Sequence, residues 1–162
     1  MTVFGKEISE YVAFAKIVIG LVLIVGVLRL ALSLGGVPNG TTKWLSMSAV
    51  VWLGVVWAGI RVVTSGFGSY KQLLPVVFFM NLAAQVVAIV AILIAIGTAK
   101  DNIFSAPEYA FGGDGKTWAH AAAHTFVGTT VGTFVYWLMG SHVMFITKRV
   151  AGPNRSGERA SA

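Results

Sequence analysis

LPVVFFMNLAAQVVAIVAILIAIG, residues Leu74–Gly97, carries no ionisable side chain and interrupts its apolar run only with Asn81 and Gln85. A hydrocarbon core of about 30 Å needs roughly 20 apolar residues of helix to cross it, and this stretch meets that length. Three more do so along the chain, at about Tyr11–Leu34, Trp44–Val63 and Trp118–Ile146. The expected fold is an all-α membrane protein: a four-transmembrane-helix antiparallel bundle with both termini cytoplasmic. Residues 1–147 form the bundle (spans about 11–34, 44–63, 74–97 and 118–146). Residues 148–162, rich in Gly, Pro, Ser and Arg, form a basic, mobile cytoplasmic tail.

Composition supports the same solvent. Of the 162 residues, 56 % are hydrophobic and 11 % charged, against about 25 % charged in soluble domains. That leaves too little polar surface to coat a water-soluble globule. There is no cysteine, which excludes disulfides, thiolate metal sites and thiol redox chemistry. The net charge of +6 follows the ends of the spans rather than forming a nucleic-acid surface, and no nucleic acid is expected as a partner. Glu7, Glu10 and Arg29, with an apolar run longer than the roughly 7–15 residues of a signal core, argue for a retained first helix.

Lys and Arg counts orient the bundle. Lys6, Lys16, Arg61, Lys71, Lys148, Arg149, Arg155 and Arg159 fall on one side; Arg29, Lys43, Lys100 and Lys116 fall on the other. The positive-inside rule makes the first side cytoplasmic, and the expected location is a bacterial cytoplasmic membrane. The first connection, Gly35–Gly40, is dense in residues that reverse a chain tightly. The longest connection, about Thr98–Thr117, carries Asp101, Glu108 and Asp114 with Phe104, Tyr109 and Phe111. Its aromatics predict a loop lying against the outer membrane surface, with one short helical turn near Ala106–Ala110.

Membrane helices associate through small residues and interhelical hydrogen bonds, because lipid is as apolar as leucine. Ala84, Ala88, Ala91 and Ala95 form one stripe on the third span. Gly54 and Ala58 on the second, and Gly128 and Gly132 on the fourth, have the spacing of close-packed helices. Amides are costly in hydrocarbon unless bonded. Counted from Pro75 at about 1.5 Å per residue, Gln85 lies about 15 Å deep, level with Thr129, Thr130 and Thr133 of the antiparallel fourth span. Asn81, Gln85, Thr129 and Thr133 are therefore expected to be polar contacts between helices, or the lining of a polar pathway.

All three histidines lie on the fourth span. His120 and His124 are four apart and share a face, a spacing that can chelate a metal; Glu108 and Asp114 are the candidate additional ligands. His142 lies five helical turns beyond His124, about 27 Å along the axis, and is expected to point the same way. One haem cannot bridge them, so a haem or chlorophyll-type pigment would take His124 or His142 singly. Lys16 and Arg29 sit about five residues inside the ends of the first span, close enough to snorkel outward. Arg61 and Lys71, flanking the Gly/Ser-rich second connection, are candidates for a lipid headgroup. Ser65 and Ser69 there lack a histidine placed to activate them.

No catalytic constellation emerges, so an enzyme is the least favoured class. The leading expectation is a non-enzymatic helical-bundle subunit or scaffold of a membrane assembly. Its partners would be the lipid bilayer and further copies of the chain or other membrane subunits. The alternatives are a transporter or channel with a polar pathway between protomers, and a metal- or tetrapyrrole-binding membrane protein that uses the histidines.

Overall fold

The computed structural model describes residues 1–110 and 112–151; the tail expected to be mobile and the aromatic at position 111 lie almost wholly outside them. The chain opens on a two-residue-strand hairpin, β1 (Thr2–Val3) paired antiparallel to β2 (Lys6–Glu7). Phe4 (φ 48°) and Gly5 (φ 82°) make the turn, and positive φ at both central residues matches the right-handed strand twist. The Tyr11 hydroxyl donates to the Val3 carbonyl at 2.7 Å and holds the hairpin against the first helix.

Four long rods make up the rest. α1 (Ile8–Leu34) starts at a capping box in which Glu10 accepts from the Glu7 N–H at 2.8 Å, satisfying an orphan donor of the first turn. A single helical turn, α2 (Asn39–Thr42), occupies the first connection, and α3 (Met47–Thr64) begins where the Ser46 hydroxyl accepts from the Ala49 N–H. α4 (Tyr70–Thr98) starts at a Ser69–Gln72 capping box. The fourth rod is composite: α5 (Trp118–Ala123), one π turn over His124–Gly128, and α6 (Thr129–Val150). A 3-10 turn at Pro107–Tyr109 stands where one short helical turn was expected.

Successive rods run antiparallel. α1 packs on α4 and α3, and α6 packs on α3 and α4. Small residues allow the close approaches. A Cβ at Gly54 would meet the Val18 side chain, one at Gly26 would meet Met47 and Val87, and one at Gly59 would meet the Gly140 carbonyl oxygen at 2.7 Å. Ala88, Ala91 and Ala95 are buried and Ala84 is half-buried, so the alanine stripe of α4 faces its neighbours. Large apolar side chains dominate the outward face of every rod: Ile24 is 65 % exposed, Leu53 72 %, Val90 47 % and Phe126 69 %.

The segments Ile8–Leu34, Asn39–Thr64 and Tyr70–Thr98 are long and apolar enough to cross a membrane, which marks the chain as membrane-associated. Sequence reading expected four such spans. The fourth rod is not among the three, because its π turn divides it and α6 mixes threonine, glycine, serine and histidine with its apolar residues.

The ends of the bundle are tied differently. At one end Gln72 Nε2 donates to the Phe4 carbonyl at 2.8 Å, Lys6 lies over the Phe67 ring, and Lys148 lies over the Tyr70 ring at 4.4 Å. The hairpin, the 65–69 connection and the end of α6 are thus gathered together. At the other end Asn39 Nδ2 donates to Glu108 at 3.0 Å and the Ile103 N–H donates to the Ser33 hydroxyl at 2.8 Å. The third connection does not simply lie on the outer surface as expected. Residues 102–106 are buried and plug this end. Asn102 makes that burial tolerable: its amide donates to the Ala91 carbonyl at 2.7 Å, and its side-chain oxygen accepts from the Phe104 N–H, so its polar atoms are not left stranded.

Candidate functional site

Asn81, Gln85, Thr133 and His124 converge on one seam between α4 and the fourth rod. Asn81, 1 % exposed, donates through Nδ2 toward the Gly128 carbonyl (3.0 Å), the Thr129 carbonyl (3.2 Å) and the Thr133 hydroxyl (3.1 Å). Carbonyls only accept, so the orientation of this amide is settled. Asn81 Oδ1 then accepts from Gln85 Nε2 at 3.0 Å, and Gln85 Oε1 is left to face His124 Nδ1 at 2.7 Å. That oxygen is an acceptor, so Nδ1 of His124 carries the proton, and in the neutral ring Nε2 keeps its lone pair.

The glycines of the fourth rod serve this seam. A Cβ at Gly128 would meet Gln85 Oε1 at 2.6 Å, and one at Gly132 would meet Asn81 Nδ2 at 3.1 Å. Their spacing makes room for two amides within one chain. The π turn lies beside them, where the Thr129 hydroxyl donates to the His124 carbonyl at 3.2 Å. Thr130 is turned outward and bonds only its own helix, to the Phe126 carbonyl.

Next to the seam, Arg29, Ser48, Gln85, Phe104 and His124 line a cavity of about 170 Å³. The Arg29 guanidinium lies 5.3 Å from the centre of the Phe104 ring. Arg29 is half-buried and helps form an internal wall, which is more than the outward snorkelling expected of it. A larger apolar groove, about 460 Å³, opens between the hairpin, Tyr11, Pro75, Phe79 and the threonines at 129, 130 and 133.

His120 and His124 have ring centres 5.0 Å apart. The Nδ1 atom of His120 lies 2.9 Å from the Gly115 carbonyl oxygen, so it too carries the proton at Nδ1. The carboxylates expected as further ligands are engaged elsewhere. Glu108 accepts from Asn39, and Asp114 accepts from the Lys116 N–H at 2.9 Å and pairs with its ammonium at 3.3 Å. Among the described residues no group of three or more histidine, aspartate or glutamate side chains is placed to hold a metal. The four-residue set His120, His124, Glu108 and Asp114 therefore does not assemble.

These loop bonds set the loop's titration. The Asn39 amide holds the Glu108 carboxyl below its ordinary value. The Lys116 backbone N–H, then its side chain, does the same for Asp114. Hydrogen bonding to Asp101, at 2.7 Å, raises the Lys116 ammonium.

His142 is exposed, whereas His124 is half-buried against Gln85. The shared direction expected for the two assumed an unbroken α-helix. The π turn adds a residue between them and rotates α6 by about 100° relative to α5. At the hairpin end Arg61, Lys71 and Lys16 are exposed. Ser65 donates to the Arg61 carbonyl at 2.6 Å and Ser69 to Gln72 at 2.7 Å, so both serines serve turn geometry. Sequence reading missed the π turn, the Arg29–Ser48 cavity and the inserted Asn102. Only Asn102 left a signal, a lone amide ahead of the apolar Ile103-Phe104.

Comparison with protein-family models, with curated proteins and with solved structures finds no match for this chain.

Proposed function

We propose that the chain is a four-span bundle of a bacterial cytoplasmic membrane, both termini cytoplasmic, acting as a non-enzymatic subunit or scaffold of a membrane assembly. The observation that carries this reading is how its polar groups are spent. Asn81, Gln85, Thr133 and His124 bond one another and the backbone inside one chain, while large apolar side chains dominate the outward faces of all four rods. Such a molecule offers its surroundings packing surface, filled by lipid, further copies or other membrane subunits.

A fourth span is supported by the same seam. Amides within hydrocarbon need partners, and the fourth rod supplies them to Asn81 from a helix about 50 Å long at 1.5 Å per residue. The test is purification from the native membrane in mild detergent. Stoichiometric co-purifying subunits or a stable homo-oligomer are expected; a solitary monomer at every detergent concentration would count against the assembly role.

The cavity beside Arg29 favours a second reading, a binding place for a small polar solute. It fits a transporter less well when the pathway must run between protomers, since Asn81 and Gln85 face inward. Solute flux into liposomes abolished by Gln85→Leu, with helicity retained, would shift the balance to this reading.

A further inference from the structure

We infer that His120 and His124 form a two-histidine site for a borderline divalent transition-metal ion of the Zn²⁺ type, independently of any assembly role. Three observations converge. Two imidazoles on one tetrahedral ion, with Zn–N of about 2.0–2.1 Å, place their ring centres about 5 Å apart, and here the centres are 5.0 Å apart. Each Nδ1–H is held by an oxygen, Gly115 O for His120 and Gln85 Oε1 for His124. That is how outer-shell groups orient metal-bound histidines and raise their basicity. Each Nε2 is consequently a lone-pair donor, and neither has a hydrogen-bond partner among the described residues.

Gln85 is then a positioning residue rather than a ligand. Its orientation is fixed by Asn81, and Asn81 is fixed by the Gly128 and Thr129 carbonyls. The chain of hydrogen bonds from the fourth rod through α4 returns to set the tautomer of a ligand on that same rod. Two protein nitrogens leave coordination positions open. Water completes the metal's shell at those positions.

The test uses the full chain without a histidine tag, purified in detergent, stripped with chelator and titrated calorimetrically with ZnCl₂. One saturable equivalent per chain is expected. His120→Ala and His124→Ala should each weaken it at least about tenfold, and Gln85→Leu, which removes no ligand, by about 10–100-fold. His142→Ala should leave it unchanged. Cu²⁺ loaded on the unmutated chain should show two equatorial imidazole nitrogens by electron paramagnetic resonance, a readout that needs no variant to fold. Absence of saturable binding, undiminished binding in both histidine variants, or a single imidazole nitrogen would overturn the assignment.

Discussion

Asn81 is the residue on which the interior turns. Its amide gathers two carbonyls and a hydroxyl from the facing helix and orients Gln85 behind it. Asn81→Leu keeps the branched shape, though not the smaller volume, strands Gln85 Nε2 and removes every one of these bonds. We expect a loss of about 1–3 kcal/mol, the cost of leaving a buried group unsatisfied, read as a lower midpoint for unfolding in mixed detergent. Thr133→Val removes one hydroxyl and should cost roughly 0.6–2 kcal/mol. Equal effects from the two would mean that the seam is not organised around Asn81.

Between elements, the close approach of α3 to α6 rests on Gly59, whose Cβ position lies 2.7 Å from the Gly140 carbonyl oxygen. Backbone cannot swing aside as a side-chain end can, so Gly59→Ala forces the two helices apart. A penalty of about 1–3 kcal/mol is expected. Gly20 of α1 is the internal control. It has open space where a Cβ would go, so Gly20→Ala should be neutral, or stabilising by up to about 1 kcal/mol through helix propensity. Thermal unfolding of the two variants side by side checks the ordering, and a reversed order would contradict the packing described. The element boundaries follow local chemistry. Glu7, Ser46, Ser69 and Thr117 cap the rods, and these residues can be read directly along the chain.

At the scale of the molecule, the two ends of the bundle make separate predictions. The chain has no native cysteine, so single introduced thiols report topology cleanly. Thr2→Cys and Ser65→Cys should be labelled by an impermeant maleimide from one face of a sealed vesicle, and Gly40→Cys and Gly113→Cys from the other. Labelling of Thr2→Cys and Gly113→Cys from the same face would break the four-rod arrangement. The Asn39–Glu108 bond ties the first connection to the third, and it holds the folded Glu108 carboxyl below its ordinary value. A depressed carboxyl stabilises at pH above its unfolded value of about 4.3, and that contribution is lost as pH falls through the folded value. Protection factors of amides in residues 36–45, corrected for intrinsic exchange, should hold from pH 7 to about 5 and decline below about 4. Protection unchanged at pH 3 would show that the tether is idle.

Hydrophobic run length and composition act locally, and they were enough to determine a helical, membrane-associated chain. They could not reveal the π turn, because a span with apolar residues on every side has no single stripe whose phase an extra residue would visibly shift, and it is this turn that sends His142 away from the direction of His124. Nor could they assign Glu108 to Asn39, draw Arg29 and Ser48 to the same cavity or bury Asn102 beneath the bundle's end. Those pairings join residues far apart in the chain, and only the packed rods decide which side chains come within bonding distance.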